Sequence, residues 1–223
     1  MYHALDEKKI DSHAVVSLET FRQQMEFIKD KGYQVLSLED YCQLLEENKY
    51  VPRNLVIITF DDGYKNNLEA AKILNEFGFE ATIFLIVDNI GKRGFLSKRD
   101  IRWILNNTNI TIGSHTLTHS YLPELNERRV EKEIKISKEK LEKLLKVKIT
   151  TFSYPIGGFD QRVLKEVESA GYSCACTTNR GFSKKLDLRA LRRIKITERD
   201  NDFKLWAKLS GFYNIFKKVK NPY

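Results

Sequence analysis

Apolar residues recur along the chain at two alternating periods, and that alternation predicts strand–helix units almost from end to end. A short apolar segment at Tyr2–Leu5 reads as a first strand. Leu18, Phe21, Met25 and Ile28 follow at helical spacing, predicting a helix from Ser17 to Lys31 that Gly32 closes. The stretch YQVLS then predicts a strand and LEDYCQLLEEN a helix. Asn54–Phe60 is a continuous apolar run rich in β-branched residues, the pattern of a strand buried on both faces, and Thr82–Val87 is a second such run. Helices are predicted over Asn66–Phe77, Leu96–Asn107, Leu125–Leu145 and Phe159–Ala170, alternating with strands at Ile110–Ser114, Ile149–Tyr154 and Tyr172–Thr177. A last strand is expected near Leu191–Ile196, before a terminal helix carrying Trp206, Phe212 and Phe216.

Repeated strand–helix units imply parallel strands joined by right-handed crossovers. Seven or eight of them predict an α/β fold: a distorted (β/α) barrel of seven or eight parallel strands, with an open doubly wound sheet as the alternative. The length of 223 residues fits one domain spanning residues 1–223. In both architectures the working site lies where the strands end.

Composition narrows the function classes. The hydrophobic fraction of 42% and charged fraction of 30% are ordinary for a globular chain. The net charge of +8 favours anionic partners. The lysines are spread over many predicted helices, though, and no RNA-binding or zinc-finger spacing appears, so no nucleic-acid partner is expected. Cys42, Cys174 and Cys176 form an odd set without framework spacing and are expected to be small buried thiols. No stretch is long and apolar enough to span a membrane, and no signal peptide is visible. The opening MYHAL reads like the tail of a buried strand, so the chain is expected to derive from a longer protein.

Polar residues sit where three of the predicted strands end. The first of these strands runs into Asp61-Asp62-Gly63, the second into His115 with His119 four residues on, and the third into Pro155-Ile156-Gly157-Gly158. Histidines at i and i+4 lie on one face of a helical turn, which suits two ligands of one metal ion. Adjacent carboxylates repel, and a cation bound to one relieves that cost and leaves the other as a base. Taken singly, the histidines could cap a helix start and the aspartates the next helix.

Thr59–Tyr64 (TFDDGY), Ser114–His119 (SHTLTH) and Phe152–Gly158 (FSYPIGG) resemble, in order, the three motifs of the NodB-type polysaccharide deacetylases, carbohydrate esterase family 4. MYHAL and Asp187–Ile194 (DLRALRRI) resemble the branch of that family acting on poly-N-acetylglucosamine. The resemblance implies a divalent metal, zinc above others, held by Asp62, His115 and His119, with Asp61 as general base. It implies that Thr116 steadies the histidine loop and that the backbone N–H of Ile156 faces the oxyanion. Tyr154, Pro155 and Gly157 would line the substrate. The implied substrate is an N-acetylated polysaccharide or oligosaccharide, the implied location extracytoplasmic at the cell envelope, with a cytoplasmic enzyme as the alternative.

Three positions depart from the family pattern. Ser153 stands where an arginine often pairs with the catalytic aspartate, and Arg193 is the expected substitute. Ile156 replaces an aromatic residue. No histidine follows His119; of the two others, His3 and His13, His3 ends the first predicted strand and is the expected proton donor to the leaving amine, with protonated Asp61 as the alternative. Rival readings are an amidohydrolase of a small cyclic amide and a carbohydrate-binding domain that has lost catalysis.

Overall fold

The computed structural model describes residues 1–7, 14–179 and 187–212; His13 and Phe216 lie outside them. The elements run in the order β1 (Ala4–Asp6), β2 (Val15–Ser17), α1 (Leu18–Asp30), β3 (Gln34–Leu36), α2 (Leu38–Glu46), β4 (Leu55–Ile57), β5 (Thr59–Phe60), α3 (Asn67–Phe77) and β6 (Ala81–Leu85). They continue with α4 (Lys98–Asn107), β7 (Ile110–Ser114), α5 (Glu127–Glu131), α6 (Ser137–Leu145), β8 (Thr151–Ser153), α7 (Gln161–Ser169), β9 (Cys174–Cys176) and α8 (Asp202–Leu209).

Five strands, β5-β6-β7-β8-β9, form one continuous parallel sheet, curled as a half-barrel; β1-β2 and β3-β4 are separate parallel pairs. This is the expected α/β class, but the main sheet has five strands rather than seven or eight. The apolar run of residues 54–60 explains part of the difference. It is interrupted at Ile58, so β4 pairs with β3 while β5 pairs with β6. The strand expected at Leu191–Ile196 makes only a bridge, from Leu191 to Cys176. Isolated hydrogen bonds nevertheless link the two edges of the sheet. Tyr2 bridges Phe60, and Met1 bonds to Ile194 and Ile196 through its backbone. These bonds carry Arg193 across to the β5 edge.

Helix ends follow local chemistry. Ser17, Ser37, Ser97, Asn126, Asp160 and Asn201 cap α1, α2, α4, α5, α7 and α8, each accepting a backbone N–H of the first turn. Ser97 and Asp100 form a reciprocal capping box. The helix expected over Leu125–Leu145 is divided: α5 and α6 flank a π-helical segment, Lys132–Ile136. The core beneath the sheet is aromatic and aliphatic. Phe21 stands edge-on to Tyr2 at 5.1 Å, and Tyr2 stacks on Phe60 at 5.4 Å.

The cysteine expectation is corrected. Cys42 of α2 and Cys174 of β9 form a disulfide, and Cys176 is a free, buried thiol. A separation of 132 residues hides the pair from any spacing rule, but α2 lies over the sheet and brings the two Cα atoms to 6.5 Å. Closing so long a loop stabilises by about 2–5 kcal/mol in the chain-entropy view. Reduction is therefore expected to lower the unfolding midpoint accordingly. Alkylation of the unfolded chain should label one cysteine before reduction and three after. Equal labelling in both states would disprove the bond.

Candidate metal and catalytic site

Three strand ends supply the site. Asp61 and Asp62 follow β5, His115 follows β7, and Ser153 ends β8. β7 and β8 share only one register pair, Ser114 with Phe152. Just past it, the imidazole of His115 replaces the ladder: its Nδ1 lies 2.7 Å from the Ser153 carbonyl oxygen. A carbonyl only accepts, so Nδ1 carries the proton and Nε2 presents a lone pair. Burial is the largest influence on His115 and lowers its pKa, favouring the neutral ring despite the pull of Asp61.

That lone pair meets a carboxylate oxygen and a second imidazole nitrogen. Asp62 Oδ1 lies 3.5 Å from His115 Nε2 and 3.4 Å from His119 Nε2. One ligand atom from each residue falls within 4.8 Å of the rest. Asp62 Oδ1 is buried and has no hydrogen-bond partner. A buried carboxylate oxygen facing two imidazole nitrogens is costly without a cation, and two imidazoles with one carboxylate are a recurring zinc set. The donor set therefore fits a divalent metal.

The histidines reach this position by a route other than the expected helical turn. Residues 115–119 form an irregular loop in which Thr116 has φ 66° and His119 φ 65°. Thr116 Oγ1 accepts the His119 N–H at 3.0 Å, the steadying bond expected of it. Asp62, with φ 71°, and Ile156, with φ 59°, are also left-handed, so four of the six such non-glycine residues described lie at the site. Each costs on the order of 1–3 kcal/mol, which surrounding contacts must offset.

Asp61 is 2% exposed and is gripped by Arg193, whose two terminal nitrogens donate to its two oxygens at 2.7 Å each. Arg193 is 8% exposed and also donates to Ser153 Oγ at 2.9 Å and to the Thr177 carbonyl at 3.2 Å. The serine in the arginine position of the third motif thus becomes a partner of an arginine arriving from the last segment of the fold. Burial is the largest single influence and would raise the Asp61 carboxyl, but Arg193, His115 and His3 together outweigh it and hold the carboxyl well below the usual carboxylate range. A forked arginine takes one lone pair from each oxygen, leaving the others able to accept.

His3 lies near the same carboxylates. Burial is the largest influence and lowers its pKa, while Asp61 and Asp62 pull it upward. Its Nδ1 is buried without a hydrogen-bond partner. Three expectations for the substrate wall are corrected. Tyr154 is fully buried against Phe152 and Phe159, and its hydroxyl donates to the Arg189 carbonyl at 2.8 Å. Pro155 and Gly157 are buried as well, and a Cβ on Gly157 would lie 2.6 Å from the Thr178 backbone nitrogen. These three build the third loop from beneath, leaving Ile156, 66% exposed, at its tip. Sequence reasoning missed Glu133, which binds the histidine loop. Its signal was a carboxylate beside the apolar stripe of Val130, Ile134 and Leu141.

The model of the polysaccharide deacetylase family matches residues 48–175, from the approach to β4 through to β9. The chain belongs to the polysaccharide deacetylase family. This deacetylase is 31% identical over 199 residues to YxkH of Bacillus subtilis, itself assigned by name to the polysaccharide deacetylases, covering 88% of this chain and 70% of that one. It is 25% identical over 217 residues to the poly-β-1,6-N-acetyl-D-glucosamine N-deacetylase of Staphylococcus aureus, covering 91% of this chain and 70% of that one. Among solved structures it superposes on the Streptococcus pyogenes deacetylase PplD, determined in complex with acetate, with a TM-score of 0.86 and 27% identity, covering 94% of this chain and 96% of that one.

Proposed function

We propose that this deacetylase is a metal-dependent hydrolase that removes N-acetyl groups from an N-acetylhexosamine-containing polysaccharide or oligosaccharide. The observation that carries the reading is the unpartnered Asp62 oxygen facing two imidazole nitrogens beside an arginine-pinned Asp61. Asp62, His115 and His119 hold the metal. Once bound, a divalent ion, with zinc best matched to these ligands, supplies Lewis acidity toward water and the acetyl carbonyl. Asp61 takes the proton from the attacking water, and Arg193 keeps it ionised and aimed. The backbone N–H of Ile156, at the exposed tip of the third loop, faces the developing oxyanion. The leaving amine takes its proton from His3 or from Asp61 once protonated.

The polymer named for the Staphylococcus aureus relative makes poly-N-acetylglucosamine the first substrate to try. An extracytoplasmic location follows from such a substrate, and the Cys42–Cys174 disulfide agrees with an oxidising compartment.

Acetate release from chito-oligosaccharides, poly-N-acetylglucosamine and peptidoglycan, with and without chelator, tests the reading. Release from at least one, abolished by chelator and restored by zinc, is expected. Asp61→Asn should lower turnover by roughly 10²–10⁴-fold, and His3→Ala should alter the pH–rate profile if His3 is the acid. No release from any polymer would favour a small amide substrate, and an unchanged His3→Ala profile would leave Asp61 as the proton donor.

A further inference from the structure

The loop carrying the metal histidines needs support it does not supply itself. Thr116 and His119 are both left-handed non-glycine residues, and between them Leu117 and Thr118 present backbone N–H groups away from any strand. A single side chain takes both. Glu133 Oε2 accepts the N–H of Leu117 at 2.9 Å and of Thr118 at 3.0 Å, and its Oε1 accepts the Thr118 hydroxyl at 2.7 Å. Glu133 is 6% exposed. A carboxylate so removed from water is tolerated only when its oxygens are satisfied, and these three bonds satisfy it.

The delivery of Glu133 is equally specific. It lies in the π-helical segment Lys132–Ile136 between α5 and α6. A π turn inserts a residue into the helical register and leaves a carbonyl short of its usual partner, and such turns gather at functional sites. Here the Ile134 carbonyl accepts the Ser137 N–H and, in addition, Ser137 Oγ at 2.8 Å and the Tyr172 hydroxyl at 3.1 Å. Ser137 Oγ is also bonded to Ser114 Oγ, the residue before His115, at 2.8 Å. The π turn and the first residue of α6 therefore touch the histidine loop at both ends, Ser137 before His115 and Glu133 before His119.

We propose that Glu133 is the positioning residue of the metal centre: presented by the π turn, it fixes Leu117 and Thr118 so that His115 and His119 converge on Asp62. The inference rests on the reading of Asp62, His115 and His119 as metal ligands. Outer-shell partners of this kind are worth roughly 10–100-fold in metal affinity. Glu133→Ala should weaken zinc binding by that factor in the full chain, measured by competition with a chromophoric chelator well below the unfolding midpoint. Glu133→Gln keeps one acceptor oxygen and should fall between the alanine variant and wild type. A role confined to folding would lower the thermal midpoint in chelator while leaving zinc affinity unchanged. Wild-type zinc affinity in folded Glu133→Ala overturns the proposal, and if that variant does not fold, wild-type affinity in Glu133→Gln overturns it. A wild-type chain that binds no zinc overturns the metal reading and this inference together, whereas equal binding by wild type and variant overturns the inference alone.

Discussion

Arg193→Leu is expected to destabilise the protein by about 3–5 kcal/mol, the cost of leaving one member of a buried ion pair without the other. Leucine fills much of the arginine's volume beside Phe84, over whose ring the guanidinium sits at 5.6 Å, so the loss is mainly electrostatic. Asp61 would remain a buried carboxylate next to Asp62, with Ser153 Oγ at 3.5 Å as its nearest remaining hydroxyl. The unfolding free energy from urea titration, at unchanged slope, measures this. Arg193→Lys should recover only part of the loss, because one ammonium cannot reproduce the fork that holds both Asp61 oxygens. The double variant Asp61→Asn/Arg193→Leu should be more stable than Arg193→Leu alone, since it removes the stranded charge. If Arg193→Leu unfolds at the wild-type midpoint, the pair contributes nothing to stability and the pinning of Asp61 must come from elsewhere.

The same arginine shows where the sequence was legible and where it was not. Asp62 and His115 were readable as candidate metal ligands because they follow apolar runs, and a parallel α/β topology brings such ends to one rim whatever the strand count. Asp61, Asp62 and His115 therefore came together although the main sheet has five strands instead of seven or eight. Arg193 was legible only as the missing partner of Asp61; its segment forms no strand, so no periodicity placed it. Tyr154 misled because it directly precedes Pro155-Ile156 at the end of a strand, and only packing reveals that its ring turns inward to Phe159. The left-handed backbone at Thr116 and Ile156 is invisible in principle, since β-branched residues argue against it and tertiary contacts impose it. The Cys42–Cys174 bond depends on how α2 crosses the sheet, which spacing does not encode.

Asp62→Asn separates the two adjacent carboxylates most sharply, because its two effects run in opposite directions. Without metal, Asp62 Oδ1 is buried, unpartnered and faced by two imidazole nitrogens. An asparagine there can donate an N–H toward one of those nitrogens and carries no charge. The metal-free variant is expected to be at least as stable as wild type. With metal, the order reverses. A ligand that binds only the folded state stabilises it by RT ln(1 + [L]/Kd), about 2.7 kcal/mol at one hundred times Kd. Wild type should gain that much in zinc and Asp62→Asn almost none, with acetate release lost in parallel. Asp61→Asn, by contrast, should keep the zinc-dependent gain while losing turnover, since Arg193 holds both Asp61 oxygens and the converging ligand atoms are those of Asp62, His115 and His119. Thermal unfolding with and without zinc reads both variants on one scale. An equal zinc-dependent shift in wild type and Asp62→Asn would remove Asp62 from the metal site. Loss of that shift in Asp61→Asn would mean that the two aspartates act as one unit, with the metal bound by both.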